Sequence, residues 1–133
     1  MAVETRHIQI RSDVDVVEAR AASRTLAGRA GFSGVDQVLI ATAVSEIARN
    51  IVEYTKGGEL LITSLDSGRR GLEIIAFDEG PGIPDIPKAL ENGFSTARGL
   101  GMGLPGARRL MDEFDIASRV GRGTTIKMRK WVP

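Results

Sequence analysis

Apolar and polar positions change rhythm several times along the chain, and each change marks a new element. Around Ile8 and Ile10 every second residue is apolar, which predicts a short strand over His7 to Ile10. Ser12 or Asp13 can then cap a helix. Val14, Val17, Ala21, Leu26 and Ala27 recur near helical spacing up to Gly28 and Gly31, whose tolerance of positive φ suits a helix end. A second helix is expected over Asp36 to Tyr54, where Leu39, Ala43, Ile47 and Ile51 form an apolar stripe at steps of four, with Gly57 and Gly58 stopping it.

Glu59 to Asp66 and Leu72 to Asp78 are rich in strand-forming residues and are separated by Ser67, Gly68, Arg69, Arg70 and Gly71, a pattern that predicts an antiparallel hairpin. After Asp78 the run DEGPGIPDIP carries three prolines and two glycines, which remove backbone donors and impose a loop. A short helical piece around Lys88 to Glu91 is expected next, followed by a glycine-rich stretch from Gly93 to Gly103 with little periodicity, read as a lid. Pro105 fits the first turn of a further helix, with Ala107, Leu110 and Met111 on its apolar side and an end near Phe114. Asp115 to Val120 and Thr124 to Trp131 flank Gly121, Arg122 and Gly123 as a closing hairpin. This order predicts an α+β fold: one mixed, mostly antiparallel sheet covered on one face by a single layer of helices.

Composition narrows what such a domain can do. The 133 residues suffice for one continuous core, so residues 1–133 are read as a single domain. Eighteen Lys and Arg against seventeen Asp and Glu leave a net charge of +1, which gives no overall field for nucleic acid or an anionic membrane. The absence of cysteine excludes disulfides, thiolate zinc sites and a cysteine nucleophile. No stretch approaches the length of a membrane span and the N-terminus lacks the apolar run of a signal peptide, so a cytoplasmic address is the default expectation.

Three segments remain as candidates for chemistry. Glu46 and Asn50 stand four apart in the second predicted helix and project from one face, with Glu53 extending it. A solvated helix face would explain the acids, but asparagine is a mediocre helix former, and its side-chain carbonyl is a hard-oxygen ligand suited to magnesium. Asp78-Glu79-Gly80-Pro81-Gly82-Ile83-Pro84 ends a predicted strand; by itself it is ordinary turn material, yet a carboxylate there can accept an adenine amine while the glycines let backbone approach a flat base. Gly99-Leu100-Gly101-Met102-Gly103-Leu104 runs into a helix N-terminus, where backbone amides and the helix dipole can cradle phosphates. It is not a dinucleotide fingerprint, because a loop rather than a strand precedes it, and no Gly-Lys-Ser/Thr follows to make a Walker loop. Arg98, before the glycines, and Arg49, beside Asn50, are further candidates as forked phosphate donors, whereas His7 is a lone histidine with no second ligand near it in sequence.

Taken in order, these three segments and the late Gly123-Thr124-Thr125 resemble the N, G1, G2 and G3 boxes of the GHKL superfamily, the Bergerat-fold ATPases and kinases, over nearly the whole chain. The short chain and the run GLGMGLPGARRLMDEFDI resemble its anti-sigma-factor-type serine/threonine kinases, in particular the stressosome switch-kinase branch. The resemblance implies a Bergerat two-layer sandwich and a kinase that uses ATP and Mg2+. It implies that Asn50 ligates the metal and Glu46 serves as the base. It implies further that Asp78, Gly80, Gly82 and Ile83 surround adenine with Thr124 or Thr125, and that Arg98, Gly99, Gly101, Met102, Gly103 and Leu104 lie along the phosphates. The implied partners are a STAS-domain protein as substrate and a PP2C-type phosphatase. Direct capture of a sigma factor, and a nucleotide-gated binding module without phosphotransfer, are the alternative functions.

Overall fold

In the computed structural model of the chain, which describes residues 4–80 and 103–133, strand β1 (Thr5–Ile10) passes into helix α1 (Asp13–Ala30) through a reciprocal cap. Asp15 in the first turn accepts the backbone N–H groups of Arg11 at 2.8 Å and Ser12 at 3.1 Å, and its charge also suits the positive end of the helix. Gly31 closes α1 in the left-handed region at φ 102°, which lets Phe32 N–H return to the Ala27 carbonyl at 3.1 Å. Helix α2 (Gly34–Tyr54) starts two residues earlier than predicted, because Ser33 is its N-cap and accepts Asp36 N–H at 3.2 Å. It folds back along α1, with the Gln37 side chain lying against Gly28 and donating to the Phe32 carbonyl at 3.0 Å.

The remaining described elements are β2 (Gly58–Asp66), β3 (Arg70–Asp78), α3 (Gly103–Leu110), β4 (Glu113–Arg119) and β5 (Gly123–Trp131). The sheet order is β1-β2-β3-β5-β4, and all four described pairings are antiparallel, so the expected mixture of directions is not found among them. The loop after Gly80, the piece around Lys88 to Glu91 and the glycine-rich lid lie outside the described residues.

Alternation of side chains across the pleat gives the sheet one buried face. Ile8, Leu60, Ala76 and Ile126 form one row on it, and Ile62, Ile74 and Met128 the next; all are buried against Leu26, Ile40, Val44, Ile47 and Ile51 of the helices. Each such aliphatic side chain contributes about 1.5–3 kcal/mol relative to exposure. The opposite face, with His7, Leu61, Ile75 and Lys127 in register, has no helix over it among the described residues. No described helix is long and apolar enough to cross a membrane.

Two helix expectations need correction. In α1 the residues that face the core are Val16, Ala19, Ala22, Ser23, Leu26, Ala27 and Ala30, whereas Val14, Val17 and Ala21 face solvent. Valines at 14, 16 and 17 offer two phases of the same period, and the packing against the sheet selects the one through Val16. The third helix ends at Leu110 rather than near Phe114, because Asp112 N–H already bonds to the Arg129 carbonyl at 2.9 Å and starts the β4 pairing. Lys130 Nζ donates to the Leu110 carbonyl at 2.9 Å and satisfies an orphan acceptor at that helix end.

Candidate functional site

Helix α2 carries Glu46 and Asn50 one turn apart on the side that the core leaves uncovered. The Glu46 side chain is 30% exposed, and its carboxylate meets Arg49 Nη1 at 3.4 Å. Arg49 is half exposed, so this pair is screened by water and weak, and the guanidinium can leave it for a stronger anion. Among the described residues no group of three or more His, Asp or Glu could hold a metal by itself. The Asn50 side-chain carbonyl is a hard-oxygen donor on this face that a magnesium ion accompanying phosphates would use.

At the other end of the site, Asp78 closes β3 half-buried, with its Oδ1 accepting the Gly80 N–H at 2.8 Å. Burial pushes its carboxyl above the usual carboxylate range, while the backbone N–H groups of Gly80 and Thr124 pull the other way and favour the charged form. A carboxylate has about four lone-pair sites, so these donors leave capacity for an incoming amine.

Three glycines bring backbone close to this carboxylate. A Cβ on Gly80 would meet Thr55 Cγ2 at 2.7 Å, and one on Gly123 would strike the Asp78 carbonyl. One on Gly58 would strike the Phe77 carbonyl and lie 3.1 Å from both Asp78 Cβ and Ile51 Cγ2. Gly58 is thus a small gap at which Ile51 of α2, the residue after Asn50, packs against the Asp78 end of the sheet.

Register puts the two threonines on opposite faces of β5. Asp78 pairs with Thr124 in β5, and Ser118 of β4 stands opposite Thr124, so the three share the helix-covered face. Thr124 is buried, and its Oγ1 lies 2.8 Å from Ser118 Oγ. Thr125 pairs with Phe77 and is exposed on the opposite face of the strand, while still lining a concavity beside Asp78. Leu104, expected beside the phosphates, is buried in the core, which leaves only its backbone for that role. Gly103, expected in the lid ahead of a helix starting near Pro105, is instead the first residue of α3, whereas Gly82, Ile83, Arg98, Gly99, Gly101 and Met102 lie outside the described residues. His7 Nε2 sits 3.1 Å from Glu59 Oε1 on the uncovered face, which satisfies it.

Sequence reasoning missed Thr55 and Ser118. Thr55 Oγ1 donates to the Ile51 carbonyl at 2.7 Å and accepts Gly57 N–H at 2.9 Å, fixing the turn against which Gly80 packs. A hydroxyl just after a helix and two residues before a glycine is a recognisable turn signal. Ser118 carried a weaker one, its alternation with Phe114 and Ile116 on one face of a strand. Among the described residues, one concavity of about 560 Å³ adjoins Asp78 toward Arg11, Lys56 and Phe77, and another of about 460 Å³ toward Ser118, Arg122, Thr124 and Thr125.

Comparison with known proteins shows the family. Residues 10–130 match the family described as histidine kinase-like ATPase domain. The serine/threonine-protein kinase RsbT of Bacillus subtilis is 52% identical over 126 residues, covering 94% of this chain and 95% of that one. An anti-sigma F factor of Thermoanaerobacter sp. is 36% identical over 99 residues, 70% of this chain and 68% of its own. In fold, the chain is similar to the crystal structure of the RsbU and RsbW domains of Rv1364c from Mycobacterium tuberculosis, with a TM-score of 0.66 at 22% identity. That match covers 98% of this chain and 33% of that one.

Proposed function

The chain belongs to the histidine kinase-like ATPase domain family, among its serine/threonine-protein kinases, and from that premise we propose that it transfers the γ-phosphoryl group of ATP to a Ser or Thr of a STAS-domain protein in a sigma-factor regulatory pathway. The observation that carries this reading is the pair on α2: an accessible carboxylate, Glu46, one turn from a hard-oxygen amide, Asn50. A module that only sensed nucleotide would have use for the amide and none for the carboxylate.

In this reading Asp78 accepts the adenine amine, and the buried Thr124 supports the base on the same face. Glu46 takes the proton of the acceptor hydroxyl as that oxygen bonds to the γ-phosphorus and the bond to ADP breaks. Arg49, released from Glu46, is placed to follow the phosphate charge. Magnesium held at Asn50 would neutralise charge on the phosphates. Gly82, Ile83, Arg98, Gly99, Gly101 and Met102, with Gly103 at the start of α3, complete the proposal as nucleotide-lining residues. A PP2C-type phosphatase is proposed as the second partner, engaged once the STAS protein is phosphorylated. A second reading, direct capture of a sigma factor, is favoured by the similarity to anti-sigma F factors.

The test is transfer of labelled γ-phosphate to purified STAS-domain proteins encoded near this chain, comparing wild type with Glu46→Gln and Asn50→Ala. Label on the STAS protein that collapses in both variants supports the kinase reading. ATP binding without transfer to any of them sinks it in favour of the anti-sigma reading.

A further inference from the structure

At 3.6 residues per turn Val35, Thr42, Glu46, Arg49 and Glu53 fall on one stripe of α2, with Val38 at its edge. The half of that stripe holding Glu46 is polar. The other half is apolar and uncovered, with Val35 71% and Val38 43% exposed. Single exposed valines are ordinary, but these two are neighbours on a helix face that continues into the proposed base. With about 1.5 Å of rise per residue, Val38 lies roughly 12 Å and Val35 roughly 16 Å along the axis from Glu46. A partner's half of a standard protein interface, about 800 Å² centred near Glu46, has a radius of roughly 16 Å, which includes Val38 and reaches Val35 at its rim.

We propose that Val35 and Val38 form a docking ledge for the phosphoacceptor protein, which lays an apolar ridge on the first two turns of α2 and thereby brings its hydroxyl to Glu46. The inference rests on the kinase reading. If Glu46 receives an acceptor hydroxyl carried by a folded protein, the surface continuous with Glu46 is covered by that protein during transfer. On this stripe the part able to gain from losing water is the valine pair, since Glu46, Arg49 and Glu53 are charged and lose hydration on burial. The ledge thus supplies affinity and the charged turn supplies chemistry. The occupant is a folded partner with an apolar contact patch, not a linear peptide that carries only the acceptor residue.

The experiment uses the full chain with Val35→Asp, Val38→Asp and the milder Val35→Ser and Val38→Ser, and as control Val120→Asp, which alters an equally exposed valine in the turn between β4 and β5. Three quantities are read: affinity for a STAS-domain acceptor in the presence of ATP, phosphate transfer to that intact protein and to a short peptide bearing its acceptor residue, and affinity for ATP. The ledge predicts that both Asp variants weaken acceptor affinity and kcat/KM by about tenfold or more, mainly through KM. Peptide transfer and ATP affinity should stay within about twofold, and the Val120 variant should match wild type. Unchanged acceptor affinity overturns the ledge, as does an equal loss for protein and peptide, or a changed oligomeric mass with acceptor kinetics intact. If wild type binds the STAS protein without phosphorylating it, the kinase reading fails while acceptor affinity alone still judges the ledge; an acceptor that neither binds nor is phosphorylated overturns both.

Discussion

Gly123 approaches the Asp78 carbonyl so closely that no side chain fits between them. Its φ is 114°, and a Cβ built there would strike the carbonyl oxygen and come within 2.9 Å of Glu79 Cα. The first residue of β5 therefore helps hold the candidate adenine-binding carboxylate in place, although it has no functional group of its own.

Gly123→Ala should be costly for that reason. A left-handed backbone at a residue with a Cβ costs about 1–2 kcal/mol, and the contact with Asp78 adds to it. We expect a drop of at least about 2 kcal/mol in unfolding free energy, with weakened ATP binding in the fraction that folds. Gly121→Ala is the comparison, since Gly121 also has positive φ (82°) but has nothing within 4 Å of its Cβ position, so it should show the backbone cost alone. Urea unfolding of both variants checks this; equal losses would mean the approach to Asp78 has no consequence.

Asp78→Asn should separate stability from binding. Burial raises the Asp78 carboxyl, more strongly than the Gly80 and Thr124 amides lower it. A raised folded value means the fold favours the proton, so this contribution is fully present below the unfolded value and is lost as pH rises through the folded one. At pH 7 the ionised group is thus destabilising relative to a neutral isostere that can still accept from Gly80. The variant should melt at the same or a higher temperature than wild type at pH 7, with the difference shrinking on acidification toward the carboxylate range. ATP affinity should fall about tenfold with the charge-assisted hydrogen bond. A melting temperature below wild type at pH 7 would contradict the balance of causes.

Glu46→Gln retains shape and removes the base. Transfer to the acceptor should fall by about a hundredfold or more, with ATP affinity within about threefold of wild type. Asn50→Ala should lower ATP affinity in magnesium and leave the metal-free affinity little changed. Titration calorimetry with and without magnesium, beside single-turnover transfer, reads both, and an Asn50 variant with unaltered magnesium dependence would remove the metal from that position.

The adjacent threonines make a paired test. Thr124→Val places a methyl where a buried hydroxyl meets Ser118 Oγ at 2.8 Å, so it should cost about 1–2 kcal/mol in stability and weaken ATP binding. Thr125→Val, on the exposed opposite face, should change neither by more than about 0.5 kcal/mol. Thermal unfolding and nucleotide titration of the two variants decide it; a larger effect at Thr125 would reverse the assignment of faces.

The order of elements was legible in the sequence because hydrophobic period, caps and turn residues are local properties. Gly31 after α1 and the glycines flanking the hairpins act within a few residues of themselves, although the Ser33 cap of α2 was missed. The Glu46 and Asn50 pair was legible for the same reason, since helical spacing alone puts residues four apart on one side. Asp78 was recognised from the turn that follows it, and the order of the boxes pointed to the family.

The tertiary structure alone decided which face is inside where the local pattern allowed two, since the inner positions of β1 and most of the α2 stripe were already legible. Alternation makes Thr124 and Thr125 point to opposite sides but leaves open which side the helices cover; the register of β5 on β3 settles it by placing Thr124 beside Asp78. In α1, valines at 14, 16 and 17 permit two phases, and contact with the sheet chose Val16. The approach of Ile51, the residue after Asn50, to Asp78 depends on Gly58, whose missing side chain matters only because Ile51 and Asp78 both press toward it. Period and propensity are encoded over a few residues, whereas register, helix phase and close approach belong to pairs far apart in the chain, and only packing against a shared core selects among the arrangements that local preference allows.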